Sequence, residues 1–158
     1  MAKPLGEICG SVALPALVIA EAGKLAAEVF SAAEEQAFCG EEVETLSVPA
    51  WALQDGPAWL PDLEALGYRR ELADVFGRER RELLVATPGV EPHADDEGLV
   101  LMIVLHNDGL MFKQGRVKYA PNAGDWFVFD DRKAHGVDGG TDDGREMFVG
   151  WNIPIERI

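Results

Sequence analysis

The chain has 158 residues, of which 47% are hydrophobic and 27% charged, and its net charge is −14 at neutral pH. That length and balance predict one domain, residues 1–158, with enough apolar material to bury a core without disulfide or metal staples. So acidic a surface repels phosphate backbones and anionic bilayers, which disfavours non-specific nucleic-acid binding, and no apolar run reaches membrane-spanning length. Cys9 and Cys39 lie far apart with no C-x-x-C partner, so neither a zinc framework nor a disulfide scaffold is expected, and a cytoplasmic location fits.

In chain order, the run VALPALVIA over 12–20 is too short, and too broken by Pro15, for a signal-peptide core. It reads as a buried strand or the start of a helix. Residues 21–39 predict an amphipathic helix with Leu25, Val29, Ala32 and Ala33 on one face and Gly40 at its C-terminal cap. The segment LSVPAWAL over 46–53 reads as an edge strand, because its proline cannot donate to a ladder. Pro61 and Asp62 open a second helical stretch in which Leu63, Leu66, Leu72, Val75 and Phe76 recur at helical spacing. Gly67 is expected to divide it and Gly77 to end it. Arg69, Arg70, Arg78, Arg80 and Arg81 crowd this stretch and read as a solvated helix face in preference to a polyanion site. Residues 1–80 are thus expected to be mainly a helical buttress with one edge strand.

From residue 81 the pattern shifts to short strands near Glu82–Thr87, Leu99–His106, Leu110–Tyr119, Asp125–Phe129, His135–Val137 and Arg145–Ile153. Turn residues separate them: Pro88-Gly89, Asn107-Asp108-Gly109, Pro121 to Gly124, Asp130-Asp131 and Asp138 to Gly144. The expected fold class is α+β, a double-stranded β-helix or jelly roll over 81–158 with supporting helices before it. Such a fold has a mouth, and mouths take ligands.

The only three histidines are His93, His106 and His135, and the pattern His-x-Asp occurs twice, as His93-Ala94-Asp95 and His106-Asn107-Asp108. In an extended segment, residues two apart point to one side, so His93 and Asp95 can converge on one ion. The second copy runs straight into Gly109, where Asn-Asp-Gly is hairpin-turn chemistry. His135 is then the one good third donor. His93, Asp95 and His135 would make the two-histidine, one-carboxylate arrangement that suits Fe(II) and leaves positions open for oxidant and co-substrate. The competing reading makes the two histidines surface or capping residues and puts Asp95 in a solvated acidic turn with Asp96 and Glu97. Ten positions after His135, Arg145 opens an otherwise apolar strand. Its guanidinium either grips an anionic partner with two parallel hydrogen bonds or pairs with a loop aspartate such as Asp142 or Asp143.

The segments PHAD, YAPNAGDWFVFDDRKAHGV and REMFVGW resemble the iron(II)/2-oxoglutarate-dependent oxygenases, most closely their prolyl-hydroxylase-like branch. Pro121, Gly124, Asp125, Phe129, His135, Val137, Arg145 and Trp151 fall where that pattern wants them, over about residues 81–158. The resemblance implies that His93, Asp95 and His135 ligate Fe(II) and that Arg145 binds the distal carboxylate of 2-oxoglutarate. It also implies hydroxylation of an unidentified substrate with O2, releasing succinate and CO2. The branch often shares that carboxylate with a tyrosine or threonine on the strand after His-x-Asp, but LVLMIVLH over 99–106 offers no hydroxyl. His106 is either a substitute donor to 2-oxoglutarate or a satisfied turn histidine. Lys113, Arg116, Lys118, Arg132 and Lys133 either line the mouth for an anionic or peptide substrate or form a solvated strand face. The competing functional class is a cupin-like or catalytically inactive jelly-roll module that binds a metal or small ligand, although the His-x-His common in cupins is missing.

Overall fold

The computed structural model describes residues 8–36, 43–46, 59–70, 82–86, 90–94, 98–138 and 148–158. Among them the chain is mostly β, with a single helix, α1 (Ala16–Gln36). Eleven strands follow one another as β1 (Ile8–Ser11), β2 (Val43–Leu46), β3 (Tyr68–Arg70), β4 (Glu82–Ala86), β5 (Val90–His93), β6 (Leu99–Asn107), β7 (Met111–Gln114), β8 (Val117–Tyr119), β9 (Asp125–Asp130), β10 (His135–Asp138) and β11 (Phe148–Arg157). The larger sheet runs β2-β4-β11-β6-β9-β1, with β3 also on β11, and the smaller runs β5-β10-β7-β8.

The pairing β4 with β11, β5 with β10, β6 with β9 and β7 with β8 is antiparallel throughout and nested, as if one long hairpin had been rolled up. That nesting is the jelly roll. The expected core is therefore present, but the class is mostly β rather than α+β. Strands β1, β2 and β3, from the half expected to be a helical buttress, extend the larger sheet instead.

β6 explains the layering. Leu101, Ile103 and Leu105 face α1, together with Trp126 and Val128 of β9 and Val149, Trp151 and Ile153 of β11. Val100, Met102 and Val104 face the smaller sheet, with Phe112, Phe127, Phe129, Val137 and Phe148. A strand buried on both faces reads as a continuous apolar run. The missing hydroxyl on this strand follows from two cores meeting there. On α1, Val18, Ala22 and Ala26 recur every four residues and are buried against the sheet. Their small size lets the helix axis come close.

The second expected helix is absent from the described part of its span. Residues 63–67 form a turn in which the Tyr68 N–H reaches the Leu63 carbonyl at 2.9 Å and Asp62 Oδ1 accepts the Ala65 N–H at 3.2 Å. Gly67, at φ +90°, then sends the chain into β3. In β3 the period becomes two, with Tyr68 buried and Arg69 exposed. Arg69 is bonded to Glu156 of β11 at 2.7 Å, so it lies on a strand edge and not on a helix face. Leu72, Val75, Phe76, Gly77, Arg78, Arg80 and Arg81 lie outside the described residues. The expected strand over 46–53 begins earlier, at Val43, and its remainder also lies outside them.

Candidate metal centre

β5 and β10 pair so that His93 lies opposite His135, and β10 pairs with β7 so that His135 lies opposite Gln114. Residues opposite one another in register share a face. The inner face of the smaller sheet therefore carries the row His93, His135, Gln114 at one end of the sandwich. Two residues on, Val137 belongs to the inter-sheet core, which fixes that face as the inward one. The two imidazoles are 4.5 Å apart between centroids, tilted by 55°. Phe129, from the opposite sheet, meets the His135 ring edge-on at 5.2 Å. Deeper in, Phe112 stacks edge-on with Phe127 and Phe148, at 5.3 and 4.6 Å. Between them these rings fill the sandwich, so the histidines occupy its rim.

The tautomer of His135 is set by a neighbour. Its Nδ1 lies 2.9 Å from the Lys133 carbonyl oxygen, which can only accept. Nδ1 therefore carries the proton, and in a neutral ring the lone pair is on Nε2. The turn bearing Lys133 is held in place by several bonds. Gln114 Nε2 donates to the Asp130 carbonyl at 3.2 Å, and the Lys133 N–H donates to the same oxygen at 3.2 Å. Asp130 Oδ1 accepts from Arg132 Nε, and Oδ2 from a terminal guanidinium nitrogen, both at 2.9 Å. This fork holds the Asp130 carboxyl down at about 2, below its ordinary 3.8.

The first His-x-Asp copy is thus half placed. His93 faces His135, while Asp95 lies outside the described residues, as does Arg145. Among the described residues no three His, Cys, Asp or Glu side chains are grouped to share an ion. The second copy is elsewhere. His106 lies opposite Val149, a residue of the helix-side core, and its Nδ1 is near Gly23 of α1. A register shift between Val149 and Gly150 turns it there. Its Nε2 meets Asp108 Oδ1 at 2.9 Å, and the Asn107 amide closes the following turn onto Gly109 and Leu110. The structure does not bring His106 to the His93–His135 pair.

Lys113 and Lys118 are also turned away from the mouth. They alternate with inward Phe112 and Tyr119, so they lie on the outer face, where both reach Asp138, at 2.6 and 3.7 Å. Lys113 holds the Asp138 carboxyl below its usual range. Sequence reasoning missed Gln114, Gly98 and Asp131, the last two being paired to each other beside the site. Only strand register identifies Gln114, although the Asp130-Asp131 doublet before a histidine was visible.

No protein family matches the chain, and no curated protein does. Among solved structures, it is similar to an RmlC-like cupin protein from Desulfovibrio desulfuricans, with a TM-score of 0.37 and 17% identity over 68% of this chain and 98% of that one. It is also similar to a chain of the Rhodobacter sphaeroides complex of SigE with the anti-sigma ChrR, with a TM-score of 0.33 and 18% identity over 92% of this chain and 98% of that one. The structural likeness to cupin jelly rolls is distant, and the jelly-roll assignment rests on the nested strand order.

Proposed function

We propose that this chain binds a divalent metal ion at the rim of its jelly roll, through His93, His135 and Asp95, and works as an Fe(II)- and 2-oxoglutarate-dependent hydroxylase. The observation that carries the reading is the facing of His93 and His135 across β5 and β10. The donor chemistry fits. Two imidazoles with a carboxylate suit Fe(II), and a metal-bound imidazole generally donates its other N–H to a carbonyl or carboxylate, as His135 does to Lys133. Fe(II) with 2-oxoglutarate and O2 supplies the oxidising power for C–H hydroxylation. The chain's own part is placement. His93 and His135 orient, Phe129 gives the mouth an apolar wall, and Arg145 suits the distal carboxylate of 2-oxoglutarate. The packed rings of Phe112, Phe127 and Phe148 leave the substrate to be met at the rim, as an exposed side chain or a small molecule.

A second reading has one observation in its favour. The inward face of β6 is wholly apolar and His106 is on the helix side, so β6 offers 2-oxoglutarate no polar partner. This favours a cupin-like module that binds metal or a small ligand without turnover. Anaerobic Fe(II) with 2-oxoglutarate separates the two. The hydroxylase predicts a visible charge-transfer band, lost in His135→Ala and weakened in Arg145→Ala, and succinate on admission of air. Metal binding without band or succinate supports the second reading, and no binding that depends on His135 overturns both.

A further inference from the structure

We infer that Asp131 is a positioning residue for the metal centre, clasping Gly98, just before β6, to the turn that leads into His135. The inference rests on the metal-site reading above. Asp131 is 4% exposed, and it is the one polar or charged side chain buried among the described residues. Burying a carboxylate costs free energy unless hydrogen bonds compensate it. Asp131 Oδ1 accepts the Gly98 N–H at 2.6 Å, and beside this bond the Asp131 backbone N–H donates to the Gly98 carbonyl at 2.9 Å.

Gly98 gives an independent sign of the same constraint. Its φ is +117°, a conformation that L side chains rarely adopt, yet nothing lies within 4 Å of where a Cβ would be. The glycine is therefore required by backbone conformation and not by crowding. That conformation presents both the N–H and the carbonyl of Gly98 to Asp131.

The clasp anchors the turn that orients His135 to the head of β6. Gly98 closes the stretch after His93 and Asp95, just before β6 begins. Asp131 opens the turn whose Lys133 carbonyl holds His135 Nδ1. The register Leu99 opposite Asp130 would bring β6 and β9 together without a buried carboxylate. What the clasp adds is a fixed tie between Gly98, at the head of β6, and the turn whose Lys133 carbonyl holds His135. Outer groups that orient metal ligands typically matter about tenfold or more in metal affinity.

The test uses the full chain and Co(II) alone as the probe. Wild type is expected to bind Co(II) with visible ligand-field bands, and His135→Ala to abolish them. Asp131→Ala and Gly98→Ala are expected to lower affinity about tenfold or more and to shift the bands, at temperatures where circular dichroism shows both folded. Asp131→Asn keeps an oxygen that can accept the Gly98 N–H, so it should recover most of the affinity. If Asp131→Ala does not fold, Gly98→Ala and Asp131→Asn decide the matter on the same readouts. Folded Asp131→Ala or Gly98→Ala with wild-type affinity and bands would overturn the clasp while leaving the metal centre intact. Failure of wild type to bind, or binding indifferent to His135, would overturn the metal centre and the clasp with it.

Discussion

The two ends of the jelly roll are built from similar residues and put them to different use. β6 spans nine residues, or roughly 26 Å at the usual strand rise, and one His-x-Asp copy stands near each end of it. At the far end, the side chains of His106, Asn107, Tyr119 and Asp125 are bonded to their own neighbourhood. Asn107 bonds Gly109, Leu110 and Pro121, and His106 meets Asp108. The Tyr119 hydroxyl and the Asn122 N–H both donate to Asp125 Oδ2, at 2.5 and 2.9 Å. At the near end, the polar bonds run around His93 and His135, holding the turn and loop beside them. One end is closed by its hydrogen bonds. The other is framed by them.

The largest expected difference is in metal binding. His135→Ala should abolish Co(II) binding. His106→Ala should leave it unchanged and cost at most about 1 kcal/mol of stability, since its partner Asp108 is exposed. Equal effects from the two would dissolve the distinction between the ends. Next is Asn107→Ala, which strips partners from the Leu110 and Gly109 N–H groups and two carbonyls; a loss of about 3 kcal/mol in urea unfolding is expected, with unchanged metal affinity. Tyr119→Phe should cost less, about 2 kcal/mol. Burial, and then the bond to Asp125, push the Tyr119 hydroxyl above its ordinary 10.0. With the native pKa raised, this contribution is complete below about pH 10 and is lost as pH rises beyond it, so the wild-type advantage over Tyr119→Phe should shrink in alkali.

What could be read ahead of the structure follows from periodicity. β6 and β9 were legible because strands between two cores are apolar on both faces, or alternate two kinds of apolar residue, as Trp126 and Val128 do with Phe127 and Phe129. The helix expected from Pro61 failed because Leu63 and Leu66 pack against the core from a turn, where i, i+3 spacing carries no helical meaning. The stretch Leu110–Tyr119 has the pattern of one strand. Gly115, at φ +59°, instead folds it into the β7–β8 hairpin. β5 has no legible strand signature, because four residues containing a proline carry little pattern. At the site, scarcity of histidine pointed to His93 and His135, and only register could show that they face each other. Asp131 carries only the signal of a turn residue, since burial of its carboxylate depends on a partner 33 positions away.

The smallest effect tests whether the two ends also differ in the direction of their response to pH. Asp130, at the framed end, is held at about 2 by the Arg132 fork, against an ordinary 3.8. A lowered native pKa gives a contribution that is present above about pH 4 and lost as pH falls through about 2, the reverse of Tyr119. Arg132 is 61% exposed, so the pair is screened by salt and its effect on global stability is slight. Its local effect is more informative, because the Asp130 carbonyl and the Lys133 carbonyl belong to the turn that orients His135. Amide exchange at Arg132 and Lys133 should therefore quicken on acidification before exchange at Gly109 and Leu110 does. Arg132→Gln should bring the Asp130 carboxyl back towards its ordinary value and abolish that lead. If the two turns loosen together in acid, or the lead survives Arg132→Gln, the fork does not hold the turn, and His135 is kept in place by Gln114 and the strand ladder alone.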